Sequence, residues 1–446
     1  MVIDMSHAGI SRFVPTMPSQ PQRPVSNTPV RTLILSPVPS HPVTTGWAAR
    51  LNHLAQAMEA MGHEVEYAYI PDTGIPCDTA GMARHWGRRL HVLPVSVSAY
   101  LLAQRPVGTR IADRIHHQIR YRMCLVRNRS MARLVGRWDT WYGRETHQYL
   151  SALQRERSFD FVIVQYGVFS RAFHAFKSGT SRLLDTNDLC VARNECMQRV
   201  GLTARWSTTQ QEETRHLNRA DIILAITDEE AQAFSRLSRR PVRVVGHLAP
   251  VASLPKASPS SGTDILFVGS KNAMNAQAAR FLTDDILPRL RARVPGARLL
   301  IAGAVCCDLS PGEGYALLGV VENLRPVYER AALVVNPMLA GTGLAIKTVE
   351  ALGHGKPVVA TQIGARGLLR GTDAAISVAD GSDEFAAAVA RILETPQLLA
   401  DLALAAHRFA TQYRQRMIRN LQTCFDGPGA GMRHTPQQPG FSAREH

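Results

Sequence analysis

The stretch from Val334 to Gly367, VVNPMLAGTGLAIKTVEALGHGKPVVATQIGARG, has the residue types and spacing best suited to chemistry. Ala332 to Asn336 reads as a buried strand, Gly341 and Gly343 as a loop, and Leu344 to Leu352 as a helix stopped at Gly353 and Gly355; Pro357 to Thr361 reads as a second strand. A strand feeding a glycine loop and then a helix gathers backbone N–H groups and the positive end of the helix dipole at one spot. A phosphate can sit there without a metal. Glu350 stands eight residues after Thr342, two turns along the same helix. Taken alone, the glycines also fit an ordinary strand-loop-helix turn, so the reading depends on the elements around it.

Those elements alternate. Arg31 to Pro37 suits the first strand of a parallel sheet. Gly46 turns the chain into a helix from Trp47 to Met61, whose apolar stripe is Ala48, Leu51, Leu54, Ala55 and Met58. Gly62 ends it, and His63 to Ile70 returns as a strand. Thr79 to Leu153 reads as mainly helical. Further strands are expected at 159–165, 181–185, 220–227 and 242–245, with a helix opening near Ser207 or Thr208 in capping-box style ahead of Gln211 and Glu212, and another from Asp228. His247 to Gly262 shifts to Pro, Ser and Ala, as linkers do. A second series follows, with strands at 264–269, 298–303 and 316–320 and helices at 273–290, 324–331, 383–393 and 396–413.

This pattern predicts an α/β protein of two Rossmann-like, doubly wound domains facing a cleft, where the carboxyl ends of both sheets bind ligand. The expected divisions are a disordered leader at 1–29, an N-terminal domain at 30–246, a linker at 247–262, a C-terminal domain at 263–415 and a disordered tail at 427–446. The final helix either stays with the C-terminal domain or returns to the N-terminal one.

At 446 residues the chain exceeds what one core usually serves, and 45% apolar with 20% charged residues is a globular composition. No apolar run approaches a membrane span, and Met1 to Asn27 lacks the apolar core of a secretory signal, so a cytoplasmic location is expected. Seven cysteines without zinc spacing and scattered histidines point to no structural metal; Cys306 and Cys307 read as packed thiols. The net charge of +15 is concentrated between Arg84 and Arg137, where twelve arginines face Asp113 alone. Such a field attracts polyanions, although interleaved apolar residues also fit a solvated helix face.

Several segments stand in a telling order: PSHPVTTGWAARLNHLAQAMEAMGHEV, LLDTNDL, WSTTQQEE, ADIILAITDEEAQAF and VVGHLAP in the first half, then FVGSKNAMNAQAARFLTDDILPRL, LLIAG and LLGVVENLRPVYERAALVVNPMLAGTGLAIKTVEALGHGKPVVAT. Together they resemble the family-4 glycosyltransferases of the GT-B fold, especially those of bacterial surface-polysaccharide clusters. Each piece is weakly specific, but their order and spacing across Arg31 to Arg414 are not. The resemblance implies a nucleotide-diphosphate-sugar donor held mainly by the C-terminal domain, an acceptor held by the N-terminal domain, transfer with retention at the anomeric carbon, and no cofactor or essential metal. Glu350 matches the carboxylate that accepts from the ribose hydroxyls. Gly341, Thr342, Gly343 and Leu344 match the loop whose amides receive the diphosphate. Lys271 lies in the loop after the first C-terminal strand, where the family often has basic residues facing the leaving group, Lys347 stands one helical turn before Glu350, and Gly319 to Val321 matches backbone that contacts the base; Lys271 and Lys347 are the cations expected to stabilise the departing phosphate. The chain departs from the family where the first of two glutamates eight apart is Thr342, which can donate to an anion but cannot act as a base. The basic pair after the first C-terminal strand is reduced to Ser270 and Lys271, and strand ends that often carry His hold Gln165-Tyr166 and Asn187-Asp188.

In such a reaction, stabilising charge on the departing phosphate and positioning the acceptor can supply the catalysis. Asp188, with Asp185 behind it, is the side-chain candidate for orienting acceptor or sugar; both also suit capping of the following helix. Arg50 could face the diphosphate across the cleft or be a surface arginine. The acceptor is expected to be a glycan, a lipid-linked molecule or a small molecule, with an anionic membrane surface as partner for the Arg84–Arg137 region. A non-catalytic nucleotide-sugar binder would keep Glu350 and the glycine loop. A nucleic-acid binder finds no recognition motif.

Overall fold

Short apolar runs such as Leu33-Ile34-Leu35, Val162-Ile163-Val164 and Leu299-Leu300-Ile301 are buried on both faces, the signature of parallel strands covered by helices. The computed structural model describes residues 29–71, 79–94, 142–176, 178–199, 208–253, 262–368 and 375–426. The expected leader and tail, residues 254–261 of the linker and the basic region from Arg105 to Arg137 lie outside the described residues.

In chain order the first half comprises β1 (Val30–Ser36), α1 (Gly46–Ala60), β2 (His63–Tyr69), α2 (Thr79–Trp86), β3 (Leu90–Val92), α3 (Arg144–Arg157), β4 (Phe161–Gln165), a 3-10 segment (Gly167–Ala175), β5 (Ser181–Asp185), α4 (Cys190–Arg199), α5 (Gln210–Leu217), β6 (Ile222–Ala225), α6 (Asp228–Leu237) and β7 (Val242–Val244). The second comprises β8 (Asp264–Val268), α7 (Ala273–Arg280), a π turn (Phe281–Ile286), α8 (Leu287–Arg293), β9 (Arg298–Ala302), β10 (Tyr315–Gly319), α9 (Arg325–Arg330), β11 (Leu333–Asn336), α10 (Ile346–Gly353), β12 (Val358–Ala360), β13 (Ile376–Val378), α11 (Ser382–Glu394) and α12 (Pro396–Phe425). Among the described residues these form two parallel sheets, ordered β3-β2-β1-β4-β5-β6-β7 and β10-β9-β8-β11-β12-β13. The order reverses at β1/β4 in the first and at β8/β11 in the second, which opens a crevice at the carboxyl ends of those strands.

Local chemistry sets several boundaries. Thr45 caps α1 by accepting from the Ala48 amide at 3.2 Å, and Thr227 caps α6 through the Glu230 amide at 3.1 Å. The α5 cap is Thr209, accepting from Glu212, one or two residues later than Ser207 or Thr208. The stretch expected to be mainly helical contains β3, a three-residue strand too short for periodicity to reveal.

The last helix runs to Phe425, past the expected end at Tyr413. Tyr413, Met417, Leu421 and Cys424 form its buried stripe, spaced to share one face, although the charged residues between them hide it in the sequence. This stripe returns to the first half of the chain: the Gly246 amide donates to Met417 Sδ at 3.0 Å, Asn420 to the Val244 carbonyl at 2.8 Å, and Phe425 packs edge-on to Phe161 at 4.8 Å. One apolar cluster therefore runs from Leu51 and Ile163 through Val245 and Leu248 to Val349 and Tyr413, closing the hinge side of the crevice.

Candidate active site

The C-terminal wall is one strand-loop-helix unit. β11 ends at Asn336, whose side-chain Nδ2 donates to Thr348 Oγ1 (3.0 Å) and the Gly364 carbonyl (2.9 Å), tying the strand end to α10. Ala345 precedes that helix and no side chain caps it. The amides of Gly341, Thr342, Gly343 and Leu344 donate to no acceptor among the described residues. An uncapped helix start with unpaired loop amides beside it has the donors to receive an anion. Gly343 has φ +72°, and a Cβ there would lie 2.9 Å from Asp188 Oδ1, so conformation and space both require glycine.

About one turn into α10, Glu350 is partly exposed, and its Oε1 lies 3.2 Å from His247 Nε2. Burial raises its carboxyl pKa, but the hydrogen bond from His247 and the nearby imidazoles outweigh that and hold it below the usual range. Lys347 donates to Asn275 Oδ1 (2.5 Å) and lies 4.7 Å over the Phe267 ring. Burial brings its ammonium down to about 7, against the pull of Glu350. Lys271 is exposed in the loop after β8, beside Asn272, which caps α7. Gly319, with φ +67°, ends β10 at the same edge, and Val321 follows, partly buried.

The N-terminal wall is assembled from distant segments. Arg50 donates from Nε to Asn187 Oδ1 (3.3 Å) and from Nη2 to Asp185 Oδ1 (2.7 Å). Asn187 donates to Gln165 Oε1 (2.6 Å), and Gln165 donates to Asp185 Oδ2 (2.8 Å), which closes a buried ring of four side chains. Arg50 also donates to the Val245 and Gly246 carbonyls. It is neither a surface arginine nor a free cation facing a diphosphate: at 3% exposure it locks the ends of β4 and β5 to the hinge. Asn187 (φ +59°) and Tyr166 (φ +65°) hold backbone conformations unusual for side-chain-bearing residues, both at strand ends on the crevice. Tyr166 is buried beside Trp47, which is 41% exposed and meets it edge-on at 5.9 Å. Burial and the nearby carboxylates keep the Tyr166 phenol well above its usual range, hence protonated.

Asp188 touches both walls. Its Oδ2 accepts from Arg193 (3.2 Å) and its Oδ1 from Thr342 Oγ1 (3.2 Å), so the residue at 342 is a donor to a carboxylate of the opposite domain. Burial raises the Asp188 pKa, opposed by Arg193 and Thr342. Neither Asp185 nor Asp188 caps the following helix, because the Cys190 and Val191 amides donate to Glu213 at 2.7 and 3.1 Å. Gly46 meets the same boundary, lying 3.5 Å from Ile346 by its projected Cβ.

Sequence reasoning missed four participants. Glu213 supplies the α4 cap from another helix, and Arg193 pairs with Asp188 one turn away. Arg366 donates to the Gly341 carbonyl at 3.0 Å, leaving a cation beside the loop. Glu230, in the first turn of α6, is raised to about 8 by burial and then by Asp188. None of the four is announced by sequence spacing: Asp188 and Arg193 stand five apart, outside the three- and four-residue spacing of helix pairs. Cys307 is exposed, not packed, while Cys306 is buried. Among the described residues no three His, Cys, Asp or Glu side chains are grouped as a metal site requires.

Residues 262–395 match the family described as Glycosyl transferases group 1. No curated protein matches the chain. Among solved structures, a mutant of S. aureus TarM in complex with UDP, fondaparinux and α-GlcNAc-glycerol aligns with TM-score 0.60 at 9% identity, over 89% of this chain and 100% of that one. Anabaena HepE in complex with UDP aligns at 0.57 with 13% identity, over 89% and 100%. The pneumococcal O-GlcNAc transferase GtfA in complex with UDP and GlcNAc aligns at 0.57 with 9% identity, over 89% and 99%. The chain thus has the GT-B fold, with a C-terminal domain that matches the glycosyl transferases of group 1.

Proposed function

We infer that the chain is a glycosyltransferase that moves a sugar from a nucleotide-diphosphate-sugar to a hydroxyl acceptor, with retention and without an essential metal. The observation that carries this reading is the uncapped α10 start with its unused amides at 341–344 and Glu350 about one turn on. It lies within the segment matching the group 1 family, and the similar folds of TarM, HepE and GtfA were each solved with UDP. In the proposed site the diphosphate lies on those amides, the ribose hydroxyls donate to Glu350, and the base lies along Gly319 to Val321. As the bond from the anomeric carbon to the β-phosphate oxygen breaks, its electrons pass to the phosphate, where the amides, Lys347 and Lys271 stabilise the charge. The acceptor oxygen forms the new bond, and its proton passes to the departing phosphate. Asp188, presented by Arg193 and Thr342, orients the sugar or acceptor.

A glycan or lipid-linked acceptor, and hence surface-polysaccharide or glycoconjugate synthesis, is the corresponding proposal for the acceptor. No helix among the described residues is long and apolar enough to cross a membrane. Attachment to an anionic inner leaflet through the Arg84–Arg137 region is the corresponding proposal for location. Of that region Arg84 and Arg88 are exposed, and Arg89 pairs with Glu59 at 2.6 Å.

The test is release of nucleoside diphosphate from UDP-, GDP-, ADP- and dTDP-sugars, with Glu350→Ala as control. One donor should turn over and Glu350→Ala should suppress it. Equal turnover by the two proteins would refute the site; donor binding without release would favour a non-catalytic binder.

A further inference from the structure

The hinge carries a buried group that the proposed chemistry does not use. His247 follows β7 and is 0% exposed. Its main chain is held by α12 and α1: its amide donates to the Tyr413 hydroxyl at 3.2 Å, the Gly246 amide donates to Met417 Sδ at 3.0 Å, and the Gly246 and Val245 carbonyls accept from Arg50. From this anchored backbone the imidazole reaches across the domain boundary to Glu350, with Nε2 3.2 Å from Oε1. The contact takes one carboxylate oxygen. Oε2 has no hydrogen-bond partner among the described residues, and the Glu350 side chain remains 19% exposed.

The environment also selects the form of the imidazole. Nδ1 is buried with no partner among the described residues, so a proton there would be an unpaired buried donor. A proton on Nε2 instead faces the carboxylate and is donated to it. The His53 ring, from α1, packs against His247 at a centroid distance of 5.0 Å, tilted by 53°. At the far end of α10, His354 stacks on Tyr328 at 4.1 Å, which holds the helix that carries Glu350.

We propose that His247 is a positioning residue: it holds Glu350 by one oxygen so that the other meets the ribose hydroxyls, and it ties that grip to the hinge. The inference rests on the donor-site reading above. It predicts that loss of the imidazole weakens recognition of the ribose hydroxyls specifically, because Glu350 then swings among rotamers, whereas contacts to diphosphate and base persist.

The test is calorimetric binding of UDP and of 2′,3′-dideoxy-UDP, or the GDP or ADP pair if that base binds more tightly, to wild type and to three variants. His247→Leu removes the donor. His247→Gln places an amide N–H near the Nε2 position, whereas His247→Asn places it near Nδ1, out of reach of Glu350. Wild type should favour the ribonucleotide; Leu and Asn should lose about tenfold of that preference, the scale of a hydrogen bond to a charged group, and Gln should restore it. Affinity for the dideoxy nucleotide should stay within about twofold in all four proteins, because a group acting only on the ribose leaves the other contacts additive. Should the Leu variant fail to fold, the Asn and Gln pair carries the comparison. An equal loss for both nucleotides would assign His247 a merely structural role, and an unchanged preference would remove the role altogether; either overturns the proposal. If wild type discriminates and Glu350→Ala does not, but the His247 variants behave as wild type, only this inference falls. Failure of wild type to bind any of the three ribonucleotides overturns the donor-site reading itself.

Discussion

The two walls of the crevice solve different problems. On the C-terminal side one continuous unit, β11 to α10, leaves its amides unused and its carboxylate partly exposed, as a surface awaiting a ligand does. On the N-terminal side Arg50, Gln165, Asp185 and Asn187 satisfy one another in a closed ring, and their burial leaves little for a ligand to take. Polar residues at strand ends are thus not equivalent. A fully paired set builds rigidity, while an underpaired set invites binding. Asp188 belongs to neither class, since it is held by Arg193 on its own domain and by Thr342 on the other.

Substitutions should separate the walls. The largest effect is expected for Arg50→Leu, which leaves Asp185 charged, buried and uncompensated. Breaking such a pair costs about 3 to 5 kcal/mol, so the melting temperature should fall sharply, as calorimetry would show. If Arg50→Leu instead retained stability while losing nucleotide affinity, Arg50 would belong to the binding wall. Glu350→Ala should do the opposite, weakening nucleoside diphosphate binding by about 2 kcal/mol, roughly thirtyfold, with a near-native melting curve.

Gly343→Ala comes next. A left-handed conformation costs a non-glycine residue about 1 to 2 kcal/mol, and the new methyl would press on Asp188. Turnover should drop about tenfold, a size that follows from that cost by the usual conversion. Wild-type activity here would show that the loop and Asp188 separate freely.

The smallest effect is a pH dependence. Burial, opposed by Glu350, brings Lys347 down to about 7, so the empty site loses this charge as pH rises through that value. A bound diphosphate favours the charged form, and binding above pH 7 must therefore take up a proton. Affinity should fall with rising pH by at most about tenfold per unit, and Lys347→Met should flatten the profile. A rise with pH would contradict the assignment.

The same contrast explains what could be read from the sequence. The alternation of strand and helix that gives the GT-B fold was legible because each element declares itself within a few residues, as Leu299 to Ala302 and Val358 to Ala360 do. The glycine loop and Glu350 were legible as a unit because one short segment contains them. The ring around Arg50 was not, since its members come from α1, β4 and β5 and only the fold brings them together. For the same reason Asp185 and Asp188 looked like caps although Glu213, from α5, takes that place. The continuation of α12 was hidden because Arg414, Arg416 and Arg419 interrupt an apolar stripe that makes sense only against the N-terminal domain.

The most direct test of the central claim is a crystal structure of the protein with the nucleoside diphosphate it binds most tightly. The account predicts the diphosphate against the amides of Gly341 to Leu344, with ribose hydroxyls within hydrogen-bond distance of Glu350. A nucleotide seated on the N-terminal wall, or on the Arg84–Arg137 region, with that loop empty would contradict it.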